Sequence, residues 1–373
     1  MKYKPIYAVF SLFLFFSACF PKQTGSFTPG ELWPDNNGVH INAHGGGILY
    51  DNGKYYWFGE HKTEGRGGNV ANVGVHCYSS KDLYNWKDEG IALEVALEGS
   101  SSEIEKGCIL ERPKVIYNRK TKKYVMWFHL EPKGMGYLGA RSGVAVADKA
   151  AGPYTYLHSV RPNAGHWPLN VQDIHKTNPY PSVGTKFSGG SLPAHVDSLN
   201  LLGRDYLGGQ MARDMTLFVD DDGKAYHIYS SEENSTLHIG LLNEDYTDHT
   251  GIYTRNFPGR FMEAPAMFRH GDKYYLMMSG CTGWAPNEAR SAVADSPLGE
   301  WRELGNPCKG EGSETTFVSQ STYILPVEGK QGRYIYMGDR WRPENAIDGR
   351  YIWLPVKFDP DGFTLEWKEN WRL

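Results

Sequence analysis

Apolar runs of strand length, separated by tight polar turns, set the rhythm of this chain. One pattern recurs five times: a polar residue or glycine, an apolar run, a turn, then a run rich in aromatics. Gly45 leads the first copy, with turn Asp51-Asn52-Gly53 and second run Tyr55 to Glu60. Glu111 leads the second, which returns through Tyr124 to Phe128. Asp214 leads the third, with turn Asp221-Asp222-Gly223 and return Ala225 to Tyr229. Glu263 leads the fourth, with turn Gly271-Asp272 and return Lys273 to Ser279; Gln320 leads the fifth, returning through Tyr334 to Gly338. Paired β-prone runs across Asp-Gly, Asn-Gly or Gly-Asp turns predict hairpins.

Each copy is followed by a further strand-like unit, at 74–78, 142–147, 237–241, 289–294 and 351–356. Several of these end in an edge such as Asn85-Trp86, Gly152-Pro153-Tyr154, Glu300-Trp301 or Glu366-Trp367. Two hairpins per copy make four strands, and five such units predict an all-β, five-bladed β-propeller. A β-sandwich would also show hairpins, but not the repeated order of features. No stretch longer than a turn or two has helical periodicity. A long insertion, 151–213, interrupts the repeat; its His166-Trp167-Pro168 and Asn178-Pro179-Tyr180-Pro181 suit a substrate-shaping loop.

Innermost propeller strands face one axis, so the leading positions Gly45, Glu111, Asp214, Glu263 and Gln320 are expected to converge. Three carboxyls in one cavity cannot all ionise comfortably, so at least one pKa should rise, as a general acid requires. The alternative for each is a strand residue paired with a neighbour such as Arg112, Arg213 or Arg340. Around the axis, Asn42-Ala43-His44-Gly45-Gly46-Gly47 reads as a turn that lets backbone approach a ligand. His44 is the best-placed histidine. Trp284 and Trp341 are candidates for stacking on sugar faces, against blade-edge packing. There is no phosphate loop, no Gly-x-Ser-x-Gly elbow and no set of histidines with metal-ligand spacing.

Composition sharpens the class. Aromatics reach 14 %, with 11 Trp and 24 Tyr, which fits aromatic-lined clefts on a strand-and-turn scaffold. A formal charge of −4 favours neither nucleic acid nor an anionic membrane surface as partner. At the N-terminus, Lys2 and Lys4 precede an apolar stretch from Ile6 to Phe16, of signal-peptide rather than membrane-spanning length. Ser17-Ala18-Cys19 resembles a lipoprotein cleavage site, so residues 1–18 are expected to be removed and Cys19 lipidated. The alternative is ordinary cleavage near Ala18; both imply export to the periplasm or cell surface. Residues 19–37 read as a tether and 38–373 as the propeller domain. Cys77, Cys108, Cys281 and Cys308 form no CxxC pair, so zinc is not expected, and they can be disulfides or buried thiols.

At these residues the chain resembles glycoside hydrolase family 43, over about residues 38–373. The resemblance implies that Glu263, in Met-Glu-Ala-Pro, is the acid and that Asp214 tunes and orients it. The family's usual base is a first-blade aspartate, and here that place falls in His44-Gly45-Gly46-Gly47. The strings Ala-His-Gly-Gly-Gly, Tyr-Tyr-Trp-Phe-Gly-Glu, Glu-Arg-Pro-Lys-Val and Gly-Asp-Arg-Trp resemble the exo-β-1,3-galactanase branch. That likeness implies that Gln320, as its imidic tautomer, stands in for the base with help from Glu111. It also implies sugar-binding roles for Glu60, Asn234 and Asp339, beside His44, Gly45, Trp284, Arg340 and Trp341.

The expected function is an exported, inverting, exo-acting hydrolase of β-1,3-galactan. No cofactor and no metal are expected, and the partner is a polysaccharide or oligosaccharide. The runner-up is an α-L-arabinofuranosidase or related side-chain glycosidase of the same fold. A non-catalytic glycan-binding propeller is the third reading, suggested by the missing aspartate and opposed by the retained Glu263 and Asp214.

Overall fold

A computed structural model describes residues 25–182 and 199–373. Five sheets, antiparallel but for one short parallel edge pair, stand around one axis. The first blade is β1 (His44–Asp51), β2 (Lys54–Lys62), β3 (Asn72–Ser80) and β4 (Lys87–Glu94). The second is β5 (Ile109–Asn118), β6 (Lys123–Glu131), β7 (Arg141–Ala147) and β8 (Thr155–Val160). The third is β9 (Met215–Val219), β10 (Ala225–Ser231), β11 (Thr236–Leu242) and β12 (His249–Asn256). The fourth is β13 (Glu263–His270), β14 (Lys273–Ser279), β15 (Ala289–Ala294) and β16 (Arg302–Gly305). The fifth has a short β17 (Cys308–Lys309), then β18 (Gln320–Pro326), β19 (Tyr334–Arg340), β20 (Arg350–Asp359) and β21 (Gly362–Glu366). β17 pairs in parallel with β21, so this blade carries one strand more than the repeat predicts.

The inner strands β1, β5, β9, β13 and β18 pack side by side and close the ring. Apolar side chains fill the seams between blades. Phe58, Cys77 and Val75 meet Met126 and Phe128 between the first and second blades. Trp57, Trp86 and Ile41 meet Ile335 and Trp353 between the fifth and first. Similar clusters fill the other three seams. Strands alternate their side chains, so each blade offers an apolar face to both neighbours, and this explains the near-continuous apolar runs.

Two boundaries differ from expectation. Residues 27–37, expected as tether, are part of the domain. Phe27 is buried among Trp33, Trp353 and Trp371, and exchanges two backbone hydrogen bonds with Trp371 (2.9 and 3.1 Å). An aromatic anchor in an apolar seam gives enough burial to order the segment. The insertion starts later than Ala151, because 155–160 form β8, the outer strand of the second blade. Its described part carries two short helices, α1 (Asp173–Thr177) and α2 (Leu201–Arg204). Residues 1–18 and Cys19, expected as signal peptide and lipidation site, lie outside the described residues. All four other cysteines are free thiols, and Cys77, Cys108 and Cys308 are buried.

The entrances of the inner strands share one irregularity. Register shifts follow His44 in β1, Glu111 in β5, Glu263 in β13 and Ser321 in β18. In the first, second and fourth blades the next residue is left-handed: Gly45 (φ 60), Arg112 (φ 56) and Ala264 (φ 51). A bulge of this kind bends the strand and re-aims the side chain before it. It also corrects the alignment of the repeat. Gly45 matches Arg112 and Ala264, and His44 is the residue that matches Glu111 and Glu263.

Trp353 sits at the centre of the seam that joins the last blade to the first, packed against Phe27, Trp33, Trp57 and Trp86. Trp353→Ala should lower stability by about 3–5 kcal/mol in urea unfolding. A loss below about 1 kcal/mol would show that this seam does not hold the ring shut.

Candidate active site

Glu263 opens β13 at the axial end, opposite Ser279 of β14. Its Oε1 accepts hydrogen bonds from Asn234 Nδ2 at 2.9 Å and from the Cys281 thiol at 3.2 Å. Burial and the neighbouring Asp214 carboxylate push the Glu263 carboxyl up to about 7. Asp214 sits just before β9, with Oδ2 accepting from Arg112 Nη2 and from the backbone N–H of Ala264, both at 3.0 Å. The left-handed turn at Ala264 is what aims that N–H at Asp214. The two carboxyls are therefore held by different partners. Asp214 has a guanidinium as partner, whereas Glu263 has only neutral donors.

The opposite wall is built by β5 and β18. Gln320 Oε1 accepts from Arg112 Nη2 at 2.6 Å and Trp341 Nε1 at 3.1 Å, and its Nε2 donates to Ser279 Oγ at 3.0 Å. Both lone pairs of the carbonyl oxygen face donors. Glu111 Oε2 lies 3.1 Å from His129 Nδ1, and His129 Nε2 lies 3.2 Å from Glu131. Burial opposes charge on His129, but the two carboxylates hold its pKa up at about 9. Burial would likewise raise Glu111, yet the imidazolium draws it down to about 2. Glu111 is therefore ionised well below the pH at which Glu263 loses its proton.

One atom each of Glu111, His129 and Asp214 lies within 4.8 Å of the others, a spacing that a metal ion could bridge. The donors are already compensated: His129 faces a carboxylate on each ring nitrogen, and Asp214 faces Arg112. A divalent ion would have to displace these protein cations, so the residues do not fit a metal.

The other predicted residues divide into two groups. Trp284, Arg340, Trp341 and Asp339 line one cleft with Gln320 and Ser279. The Trp284 and Trp341 rings meet edge to face with centroids 5.6 Å apart, and Trp284 is 42 % exposed, so an open aromatic wall is present. Arg340 is tied to the carbonyls of Phe317 and Val318. Asn234 reaches the acid directly.

Glu60, Gly45 and most of Asp339 form the floor beneath this wall. Glu60 is buried, salt-bridged to Lys62 at 2.7 Å, and accepts from the backbone N–H of Arg112 at 2.9 Å. Asp339 accepts from the Gly45 N–H and is pushed up to about 7 by burial. Lys114 donates to the Gly45 carbonyl at 2.8 Å, and burial, then Arg112, bring its amine down to about 7. The glycine-dense turn therefore does not open space for a ligand. A Cβ on Gly45 would meet Glu60 at 2.4 Å, on Gly46 the Phe58 carbonyl at 2.2 Å, and on Gly47 Lys114 at 2.4 Å. Its glycines let the floor side chains pass under β1. His44 is buried against Trp341 and Tyr351, and burial followed by Lys62 brings its pKa down to about 3, so it is neutral.

Arg112 was considered only as a possible partner, yet it links more of the site than any predicted residue. Cys281, Ser279 and His129 were not singled out. Arg112 and His129 are buried in strands, where their residue types alone give no hint of the axis. The register could have found His129, which pairs across β5–β6 with Glu111.

Comparison with known proteins now decides the family. A model described as "Glycosyl hydrolases family 43" matches residues 196–351. The solved structure of the β-1,3-galactosidase BT3683 with galactodeoxynojirimycin is 52% identical, covering 93% of this chain and 100% of that one, with TM-score 0.86. The chain belongs to glycoside hydrolase family 43. An exo-β-1,3-galactanase from Clostridium thermocellum is 35% identical over 93% of this chain and 66% of that one, with TM-score 0.73. A variant of the exo-β-1,3-galactanase from Phanerochaete chrysosporium, with β-1,3-galactotriose, is 30% identical over 94% and 68%, also with TM-score 0.73. A comparison with curated sequences finds no match. As a member of this family the protein is a glycoside hydrolase on a five-bladed propeller, as the repeat predicts.

The charge on Asp214 holds the Glu263 carboxyl up, so Asp214→Asn should lower it. The high-pH limb of the kcat/KM profile, where the proton on Glu263 is lost, should then move to lower pH than in the wild type. A limb that stays in place or moves up refutes the coupling.

Proposed function

We propose that this glycoside hydrolase is an inverting, exo-acting enzyme on β-1,3-galactan, with Glu263 as general acid. The observation that carries the reading is the Glu263 carboxyl, buried beside Asp214, held by Asn234 and Cys281, and pushed up to about 7. Such a group can give its proton to a leaving sugar oxygen near neutral pH. Substrate follows from the relatives, a β-1,3-galactosidase and exo-β-1,3-galactanases, and from the aromatic wall of Trp284 and Trp341, which suits the apolar face of a galactosyl ring. Asn234, Arg340, Asp339 and Glu60 would hold or support hydroxyl contacts.

An exo mode is supported by the loops over the first and fifth blades. Gly65 donates to Asn345 at 2.8 Å and accepts from Ala346 N–H at 2.9 Å, and a Cβ on Gly68 would come within 3.9 Å of Trp284. Loops tied this way wall one side of the site and favour a chain end over a through-running chain.

Inversion needs a water on the far side of the sugar, with a group to take its proton. Gln320 and Glu111 replace the usual aspartate there, with divided labour. An imidic Gln320 would carry O–H at Oε1, where both partners, Arg112 and Trp341, are themselves donors. The ordinary amide suits that environment, so Gln320 orients the water and Glu111, ionised by His129, takes the proton. Export through the segment 1–18, with Cys19 as lipid anchor, remains part of the proposal; radiolabelled fatty acid should enter the wild type and not Cys19→Ala.

Purified protein on β-1,3-galactan should release galactose, and proton NMR in the first minutes should show the α-anomer. Glu263→Gln should lose roughly 10²–10⁴-fold in kcat on the glycan. Arabinose release from arabinan side chains with no galactose would move the substrate to the α-L-arabinofuranosidase reading. Binding without hydrolysis by either protein would leave a glycan-binding propeller.

A further inference from the structure

Three successive non-glycine residues, Glu232, Glu233 and Asn234, are left-handed, with φ of 50, 59 and 67. L-residues avoid that region, and a run of three persists only when its surroundings force it. The run has a clear product: it presents Asn234 Nδ2 to Glu263 Oε1 at 2.9 Å.

Two buried ion pairs hold the run, one from each side. Glu232 receives Arg255 at 2.6 and 2.7 Å, with His238 Nε2 at 2.9 Å, all from the third blade itself. Glu233 receives Arg204 Nη1 at 2.9 Å, and Arg204 comes from α2 of the insertion. Arg204 is itself fixed. Its guanidinium makes a fork with Asp205 at 2.8 and 2.7 Å, and Asp205 pairs with Arg161 at 3.1 Å. Asn200 caps α2 by accepting from Gly203 N–H at 3.0 Å, and it donates to the carbonyls of His175 and Asn178. Leu201 of the same helix packs against Phe261, two residues before the acid. Arg204, Asp205, Glu232, Glu233 and Asn234 are all at least nine-tenths buried.

We propose that Arg204 of the insertion is a positioning residue for proton donation, clamping Glu233 so that the left-handed turn keeps Asn234 on Glu263. The inference rests on Glu263 as the acid and gives the insertion a role beyond shaping the pocket. Asn234 and the Cys281 thiol both donate to Oε1, which leaves Oε2 to carry the proton. Losing the clamp frees the turn to relax to a commoner backbone, and Asn234 then swings off the acid.

The test compares Arg204→Met with the pair Arg204→Met/Glu233→Met, which removes both charges in case a lone buried carboxylate prevents folding. Two substrates are used. A β-1,3-linked galacto-oligosaccharide has a leaving oxygen that needs a proton, whereas 2,4-dinitrophenyl β-galactoside leaves as a stable phenolate. The oligosaccharide kcat should fall by about tenfold or more while the aryl rate stays within about twofold. Arg204→Lys should recover most of the loss, and Asn234→Ala should reproduce the split. Equal losses on both substrates overturn the proposal, because they mark a general structural role. A crystal structure of either Met variant gives a readout independent of substrate. An unchanged left-handed turn with Asn234 still bonded to Glu263 overturns the proposal, and a relaxed turn supports it. If the wild type hydrolyses no galactoside, the functional reading fails while the crystal structure still decides the clamp.

Discussion

The guanidinium of Arg112 is the constraint on which the centre of this propeller depends. It is a buried cation on the axis, bonded to Asp214 of the third blade and to Gln320 and the Ser321 carbonyl of the fifth. Its own backbone N–H is held by Glu60 of the first. Burial opposes its charge, but Asp214, Glu60, Asp339 and Glu111 surround it and keep it protonated. Arginine suits this place because its rigid fork serves several acceptors at once and keeps its charge when desolvated. Breaking such a buried arrangement from one side leaves uncompensated charge and costs roughly 3–5 kcal/mol.

Where that cation sits determines which carboxyl is left with only neutral donors. Asp214 touches it; Glu263, one strand further round, receives only an amide N–H and a thiol. Glu111 is served by a different cation, His129. The site thus gives its three carboxyls different partners, and Glu263, the one with only neutral donors, is pushed up to about 7. On the floor burial outweighs the partner. Glu60 is raised by burial although it takes Lys62, and Asp339, whose hydrogen-bond donor is a backbone N–H, is raised too.

The ring of five blades could be read from the chain because hairpin turns and leading polar residues leave local signals. That Glu263, Asp214, Gln320 and Glu111 converge on the axis was legible for the same reason: each begins an apolar run. What could not be read depends on contacts distant in sequence. Arg112 looks like one more charged residue until the strands converge. The glycines at 45–47 suggest an open cradle, and only the packed Glu60, Phe58 and Lys114 show that the space is taken. The one-residue offset between Gly45 and His44 came from the bulge, whose geometry lies in backbone angles rather than in residue types. The segment 27–37 reads as linker because its anchor, Trp371, lies at the far end of the chain.

The recurring bulge has a consequence for how such sites change over evolutionary time. It is made by the backbone at the mouths of β1, β5, β13 and β18, with histidine, glutamate, glutamate and glutamine beside it. Four of the five blades therefore carry a similar socket, the third being the exception, and residues of different type fill it. A proton acceptor lost from one position can be supplied from another by a single substitution, without refolding a strand. Here the first socket holds a neutral, buried histidine, with Glu111 and Gln320 in the sockets on either side. Circular symmetry makes the chemistry of the axis transferable, so the position of one catalytic group is a weaker mark of descent in this architecture than the ring of sockets itself.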